Sequence, residues 1–436
     1  MKYLSTRDPN LPVTASAALL QGIAPDGGLY VPESLPAVSA RVLDGRAPLH
    51  ELATILLGPF FAGDPLGGSL AAIATEALDI PVPLRAVQGA PERLSVLELF
   101  HGPTAAFKDF GARFLAACLA RIHGSDARPL TVLVATSGDT GGAVAAAFHG
   151  RPGIRVILLY PQGRVSAIQE HQLTCWGGNV QSLAVQGSFD DCQRLVKLAF
   201  ANPGLRERHG LTSANSINIG RLLPQLVLFA AAALRIRDAE GDTASFVIPS
   251  GNLGLATACA YARAMGLPIG GILLAHNANR AVPDFFASGE WRPKASVATL
   301  ASAMDVGEPS NMERLFAMFP DRATLRAALR AVSIDDAAIR DSIRTEFARY
   351  GLVLCPHTAA GFAAYRGLPE RDRLGGHWVV AATAHPAKFP ETVEPLVGRP
   401  VEAPPAIGRL LGMQKARMLI RADIAELVAC LESREG

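Results

Sequence analysis

The sequence has little lysine. Six occur in 436 residues, Lys2, Lys108, Lys197, Lys294, Lys388 and Lys415, so nearly all positive charge is arginine. Any chemistry that needs a primary amine therefore has few candidates. The six cysteines, at 118, 175, 192, 259, 355 and 430, form no CxxC and no metal-binding spacing. They read as small buried hydrophobes in a reducing compartment, with no metal site. Excess charge of either sign is also missing. A balance of 41 basic and 39 acidic residues leaves +2, which gives no electrostatic case for nucleic acid or anionic lipid. The longest uninterrupted apolar run, near Leu226–Leu234, has about half the length of a membrane span. The opening MKYLSTRDPNLPV is polar and broken by proline, unlike a signal peptide. These absences predict a cytoplasmic protein with neither a membrane nor a nucleic-acid partner.

Apolar material is abundant. At 49% hydrophobic and 18% charged, the chain can bury sizeable cores, which excludes disorder. Glycine (41) and proline (31) are raised but aperiodic, which excludes collagen-like and low-complexity readings. Residues 1–80 form a distinct N-terminal unit. Turn signals come first, at Asp8-Pro9-Asn10, Pro25–Gly28 and Pro32, and a helical stretch with Leu52, Ile55, Leu56 and Phe60 follows. From about residue 93, short apolar strands alternate with helices. Strands are expected near 93–100, 131–136, 155–160, 180–185, 245–248, 271–275 and 379–383. Phe107, Phe110, Phe114, Cys118 and Ile122 recur at helical spacing. Such alternation implies an α/β fold of two lobes, with parallel-type sheets covered by helices. The expected core is 81–403, with a smaller lobe nested at about 125–210. A tail at 404–436 reads as helical from Gln414 to Leu431. No internal repeat is visible.

Four motifs carry chemistry. Lys108, in His101-Gly-Pro-Thr-Ala-Ala-Phe-Lys-Asp-Phe-Gly111, opens a helix beside Phe107 and Phe110. Desolvation and the helix dipole both disfavour an ammonium there, which suits imine chemistry. Ser137-Gly-Asp-Thr-Gly-Gly142 and Ser250-Gly-Asn-Leu-Gly254 each join a strand to a helix. Such turns cradle anions with backbone N–H groups. Two of them imply two anionic groups. Asn215-Ser-Ile-Asn-Ile-Gly-Arg221 is a polar cluster leading into an apolar helix. Arg221 would offer a fork of donors to phosphate, and a helix N-cap is the alternative reading of the cluster. Thr383 ends the strand Val379–Thr383, where its hydroxyl can face a crevice at the carboxyl edge of a sheet. His357 and His385 read as structural.

In this order, together with Tyr3-Leu-Ser-Thr-Arg7, Ala24–Pro32, Asp305-Val-Gly-Glu-Pro-Ser-Asn311 and Thr383-Ala-His-Pro-Ala-Lys388, the motifs resemble the threonine synthase family nearly end to end. These enzymes depend on pyridoxal 5'-phosphate and share fold type II, the fold of the tryptophan synthase β chain. The N-terminal segment resembles that of the longer subgroup. The resemblance implies that Lys108 binds the cofactor covalently and shuttles protons. Gly251, Asn252, Leu253 and Gly254 would cradle the cofactor phosphate, and Thr383 would meet its pyridine nitrogen. Asp139 stands where the wider fold often has asparagine near the ring's 3'-oxygen, so its carboxyl would have to be protonated or turned away. Ser137 and Thr140 would hold substrate carboxylate or phosphate, and Ser216, Asn218 and Arg221 the substrate phosphate. Leu255 stands where a polar residue is common and offers only its backbone N–H. The implied substrate is O-phosphohomoserine, converted with water to threonine and phosphate. A threonine or serine dehydratase or a β-replacement synthase of the same fold is the alternative activity. A non-catalytic metabolite-binding relative is the alternative outside enzymes. Monomer and homodimer both remain open.

Overall fold

Short runs rich in Leu, Ile and Val make strands, because they are too brief for helices and are covered on both faces. The computed structural model describes residues 1–123 and 129–433. The expected beginning of the smaller lobe near residue 125 and the tail residues 434–436 lie outside the described residues. Thirteen strands occur among the described residues: β1 (Tyr3–Ser5), β2 (Tyr30–Pro32), β3 (Leu84–Ala86), β4 (Leu94–Glu98), β5 (Leu130–Ala135), β6 (Ile154–Pro161), β7 (Val180–Gln186), β8 (Leu211–Thr212), β9 (Ala244–Pro249), β10 (Ile269–His276), β11 (Arg330–Ser333), β12 (His377–Ala382) and β13 (Met418–Arg421).

They form two main sheets. One runs β11-β10-β9-β12-β4-β3 and is parallel except for β3. The other runs β13-β7-β6-β5-β8 and is parallel throughout. Every residue of β5 and of β12 is buried, as strands covered on both faces should be. β1 and β2 pair antiparallel by themselves. Parallel neighbours need crossovers, and helices such as Asp139–Phe148 and Gly254–Ala264 supply them.

The helix Ile219–Glu240 runs through the centre. Its 22 residues are apolar enough, by length and composition, to cross a membrane, but its most apolar window is 94% buried inside the protein. It packs on the helices Gly254–Ala264, Lys108–His123 and Leu49–Leu57. The N-terminal unit therefore shares the main core: Tyr3, Leu52, Leu56 and Phe60 belong to the same cluster as Leu226 and Phe229.

The tail departs from expectation. It is not one helix from Gln414 to Leu431. It makes a helix Pro405–Leu411, then β13, then a helix Ile424–Glu432. Ile420 buries into the smaller sheet's core. Asp423 then restarts the helix by accepting the Ala425 N–H at 2.9 Å.

Candidate functional site

A cleft opens where the carboxyl ends of β5, β9 and β12 meet the start of the helix Lys108–His123. Ligands of open α/β sheets bind at such edges. Its lining holds Lys108, both glycine turns, Ser216, Arg221 and Thr383. Segments far apart in the chain thus converge on one space.

Backbone geometry sets the place of Lys108. Ala105 has a positive φ of 53°, and Ala106 bridges to Ala384. The Phe107 N–H donates to the Thr383 carbonyl at 2.9 Å. The loop therefore delivers Lys108 and Thr383 to the same edge. Asp109 accepts the Thr104 N–H at 2.9 Å and the Thr104 hydroxyl at 2.6 Å, which closes the loop behind Lys108. Burial lowers the Lys108 amine to about 8; Asp139 acts against the shift, and Arg221 and Lys388 add to it.

The turn at 250–254 is shaped by close backbone. A Cβ on Gly251 would stand 2.8 Å from the Met304 Cα and 3.0 Å from the Ala303 carbonyl oxygen. Leu253 adopts a left-handed φ of 62° just before the helix Gly254–Ala264 begins. That helix leads its N-terminal amides into the cleft, as an anion needs. Asn252 is anchored twice: its amide nitrogen donates to the Ser216 hydroxyl at 2.6 Å, and its amide oxygen accepts the Ser310 N–H. The Asn311 amide donates to the Asn252 carbonyl at 2.8 Å. The block Asp305–Asn311 thus braces the cradle from behind.

The second turn hangs on Thr136, whose hydroxyl oxygen accepts the N–H groups of Gly138 and Gly141 at 3.0 and 2.8 Å. Ser137 and Thr140 line the cleft beside it. Asp139 differs from the expectation of a protonated carboxyl. It lines the cleft and pairs with the fully buried Lys388 at 2.7 Å, and the Gln169 amide donates to it at 2.9 Å. Burial alone would raise its carboxyl, but Lys388 and Lys108 outweigh burial and hold it well below the usual carboxylate range. Lys388 also donates to the Thr104 carbonyl at 2.8 Å. Nothing local in Thr383–Lys388 points to the Asp139 partner, which only the fold brings near.

Within 215–221, the residues take different parts. Ser216 and Arg221 line the cleft. Asn218 does not, and its expected contact with substrate is withdrawn. It is fully buried as the N-cap of the central helix. Its oxygen accepts the Gly220 N–H, and its amide donates to the Leu19 and Ser213 carbonyls at 2.9 Å each. Arg221 also offers less than a full fork. One arm donates to the Ala214 carbonyl and the other to the Lys108 carbonyl at 3.3 Å, while its Nε has no partner among the described residues. Burial lowers Arg221 to about 10, so it stays cationic at neutral pH.

The residues fit pyridoxal phosphate. A cleft-lining amine, a glycine-bearing cradle at a helix N-terminus and a threonine at a strand end are the partners such a molecule needs. Three residues of the lining, Arg221, Gln225 and His357, each also carry a buried polar atom without a partner among the described residues, Nε, Oε1 and Nδ1 in turn, and such unsatisfied groups call for a bound partner.

Residues 79–384 match the family described as pyridoxal-phosphate dependent enzyme. Residues 2–77 match threonine synthase N terminus, and residues 358–430 match threonine synthase, C-terminal. A threonine synthase of Serratia marcescens is 39% identical over 429 residues, 98% of each chain. The crystal structure of threonine synthase from Escherichia coli is 37% identical, with a TM-score of 0.89 over 99% of both chains. The PLP-bound threonine synthase from Brucella melitensis is 33% identical, with a TM-score of 0.88 over 99% of this chain and 98% of that one. Matched across its catalytic body and both flanking segments, the chain belongs to the threonine synthase family of pyridoxal-phosphate-dependent enzymes.

Proposed function

We propose that the chain converts O-phosphohomoserine and water to L-threonine and phosphate, the last step of threonine biosynthesis. The observation that carries this reading is the convergence of two helix-N-terminal glycine turns and Arg221 on one lysine amine. The reaction needs the cofactor phosphate and the leaving phosphate to be held at once. A dehydratase or a β-replacement synthase does not need the second one.

The cofactor supplies an electron sink for charge that develops at the substrate's Cα. All else falls to the protein. Gly251, Asn252, Leu253 and Gly254 hold the cofactor phosphate with backbone N–H groups, and Leu255 adds its own. Thr383 would offer its hydroxyl to the pyridine nitrogen, a weaker partner than a carboxylate, which disfavours aminotransfer. Asp139, held ionised by Lys388, would stand near the ring's 3'-oxygen. Ser137 and Thr140 orient the substrate carboxylate. Ser216 and the unpartnered Nε of Arg221 take the substrate phosphate, with donors that strengthen as the phosphate departs. Lys108 would hold the cofactor through its Nζ, and the same amine would remove and return the proton at Cα. An amine near 8 can do both at neutral pH.

Product analysis tests the reading. Purified protein given O-phosphohomoserine should release phosphate and form threonine in equal amounts. Ketobutyrate from threonine, or cysteine-type products from O-acetylserine, would instead point to the dehydratase or the synthase. We also place the enzyme in the cytoplasm, a reading supported by the buried position of its long apolar helix; cell fractionation checks it.

A further inference from the structure

We propose that His357 is a binding residue of this cleft, its Nδ1–H donating a hydrogen bond to an anionic oxygen of the bound small molecules. The inference rests on the functional reading above and adds a residue to it.

His357 stands in the first turn of the helix Pro356–Arg366, lines the cleft and is 3% exposed. The Ala303 backbone N–H donates to its Nε2 at 3.1 Å. A ring nitrogen that accepts a hydrogen bond carries no proton, so the ring must be neutral with its single hydrogen on Nδ1. Burial agrees, lowering the ring to about 4. Nδ1 has no partner among the described residues. The ring cannot turn freely, since it packs on Phe389 with centroids 5.0 Å apart.

The charges around the ring are Asp139, Lys108 and Lys388. Asp139 is the only acceptor of the three; Lys388 and Gln169 both bind its Oδ1, and neither of its oxygens is a hydrogen-bond partner of Nδ1. The Nδ1–H is a buried donor without an acceptor among the described residues. Buried donors are ordinarily satisfied, and a bound oxygen supplies the missing acceptor. Ala303, which orients the ring, also crowds Gly251, so one segment shapes the cradle and aims the donor. The sequence reading of His357 as structural describes its Nε2 side alone.

The oxygen can belong to the cofactor or to the substrate, and two assays separate them. Pyridoxal 5'-phosphate is titrated into apoprotein to read its dissociation constant, and KM is read with O-phosphohomoserine. Three variants are compared. The amide nitrogen of His357→Asn reaches the Nδ1 position, that of His357→Gln reaches the Nε2 position, and His357→Leu has neither. Leu and Gln should weaken one of the two constants by roughly 10- to 100-fold, the range of one hydrogen bond to a charged group, while Asn stays within about 2-fold of wild type. The constant that moves names the source. If Leu matches wild type in both assays, or Gln rescues as well as Asn, the proposal fails. Should Leu not fold, the contrast between Asn and Gln decides. Nitrogen-15 spectra of ring-labelled apoprotein should show the Nδ1-protonated tautomer, and an Nε2-protonated ring overturns the idea. Wild-type protein that makes no threonine defeats the functional reading, and the titration and the spectra still judge His357.

Discussion

An amine that loses its proton near pH 8 instead of near 10.5 changes what one residue can do. Only the neutral form attacks an aldehyde, and the folded protein disfavours the charged form, so the neutral fraction grows as pH rises through 8 and saturates above it. The rate at which apoprotein captures pyridoxal 5'-phosphate should therefore climb from pH 7 to 9 with a midpoint near 8; stopped-flow absorbance measures it. A midpoint near 10.5 would place Lys108 in bulk water. Lys108→Ala should lose the visible absorbance of the lysine-bound cofactor altogether. Arg221→Ala should keep that absorbance, raise KM for O-phosphohomoserine and lower kcat by roughly 100-fold or more, the usual loss for one donor aimed at developing charge. Loss of the cofactor in this variant would reassign Arg221 to holding the Lys108 loop, through the carbonyl it already touches.

Between elements, the buried pair Lys388–Asp139 joins the segment after β12 to the start of the helix Asp139–Phe148. Removing one partner leaves a bare charge in the interior, so Lys388→Met should cost about 3–5 kcal/mol of stability. The double variant Lys388→Met/Asp139→Asn should be less impaired than the single one, and denaturant unfolding of all three reads the difference. Gly251→Ala should push the cradle off Met304 and Ala303 and weaken cofactor binding, which titration of apoprotein measures. Periodicity made elements of this kind readable in advance. TVLVAT and SFVIP were legible as strands because each is apolar, short and followed by glycine. The tail was not, because β13 is a single strand whose one deeply buried residue is Ile420. Asn218 was misassigned for a related reason. A polar residue before an apolar helix serves equally as a cap or as a ligand contact, and only the positions of Leu19 and Ser213 decide. Lys388 escaped notice because its partner lies about 250 positions earlier in the chain.

Across the whole molecule, Arg314 binds three regions together. Fully buried, it donates to the carbonyls of Tyr30, Ser216 and Ile217 and to the Asn311 side chain. It thereby couples the N-terminal unit to the wall of the cleft. Arg314→Met leaves those acceptors unsatisfied and should cost on the order of 3 kcal/mol or more. It should also raise KM for O-phosphohomoserine through Ser216; a thermal melt and steady-state kinetics check the two effects together. Arg235 and Arg237, near the far end of the central helix, reach back to carbonyls of Ala40, Leu43, Gly45 and Val82. The first eighty residues therefore cover one side of a rod whose hydropathy would suit a lipid bilayer, and the helices Gly254–Ala264 and Lys108–His123 cover the rest. A chain shortened to begin at residue 81 should sediment with vesicles or clump. On that outcome the N-terminal segment keeps the catalytic body in solution, and trimming it would not yield a smaller catalyst.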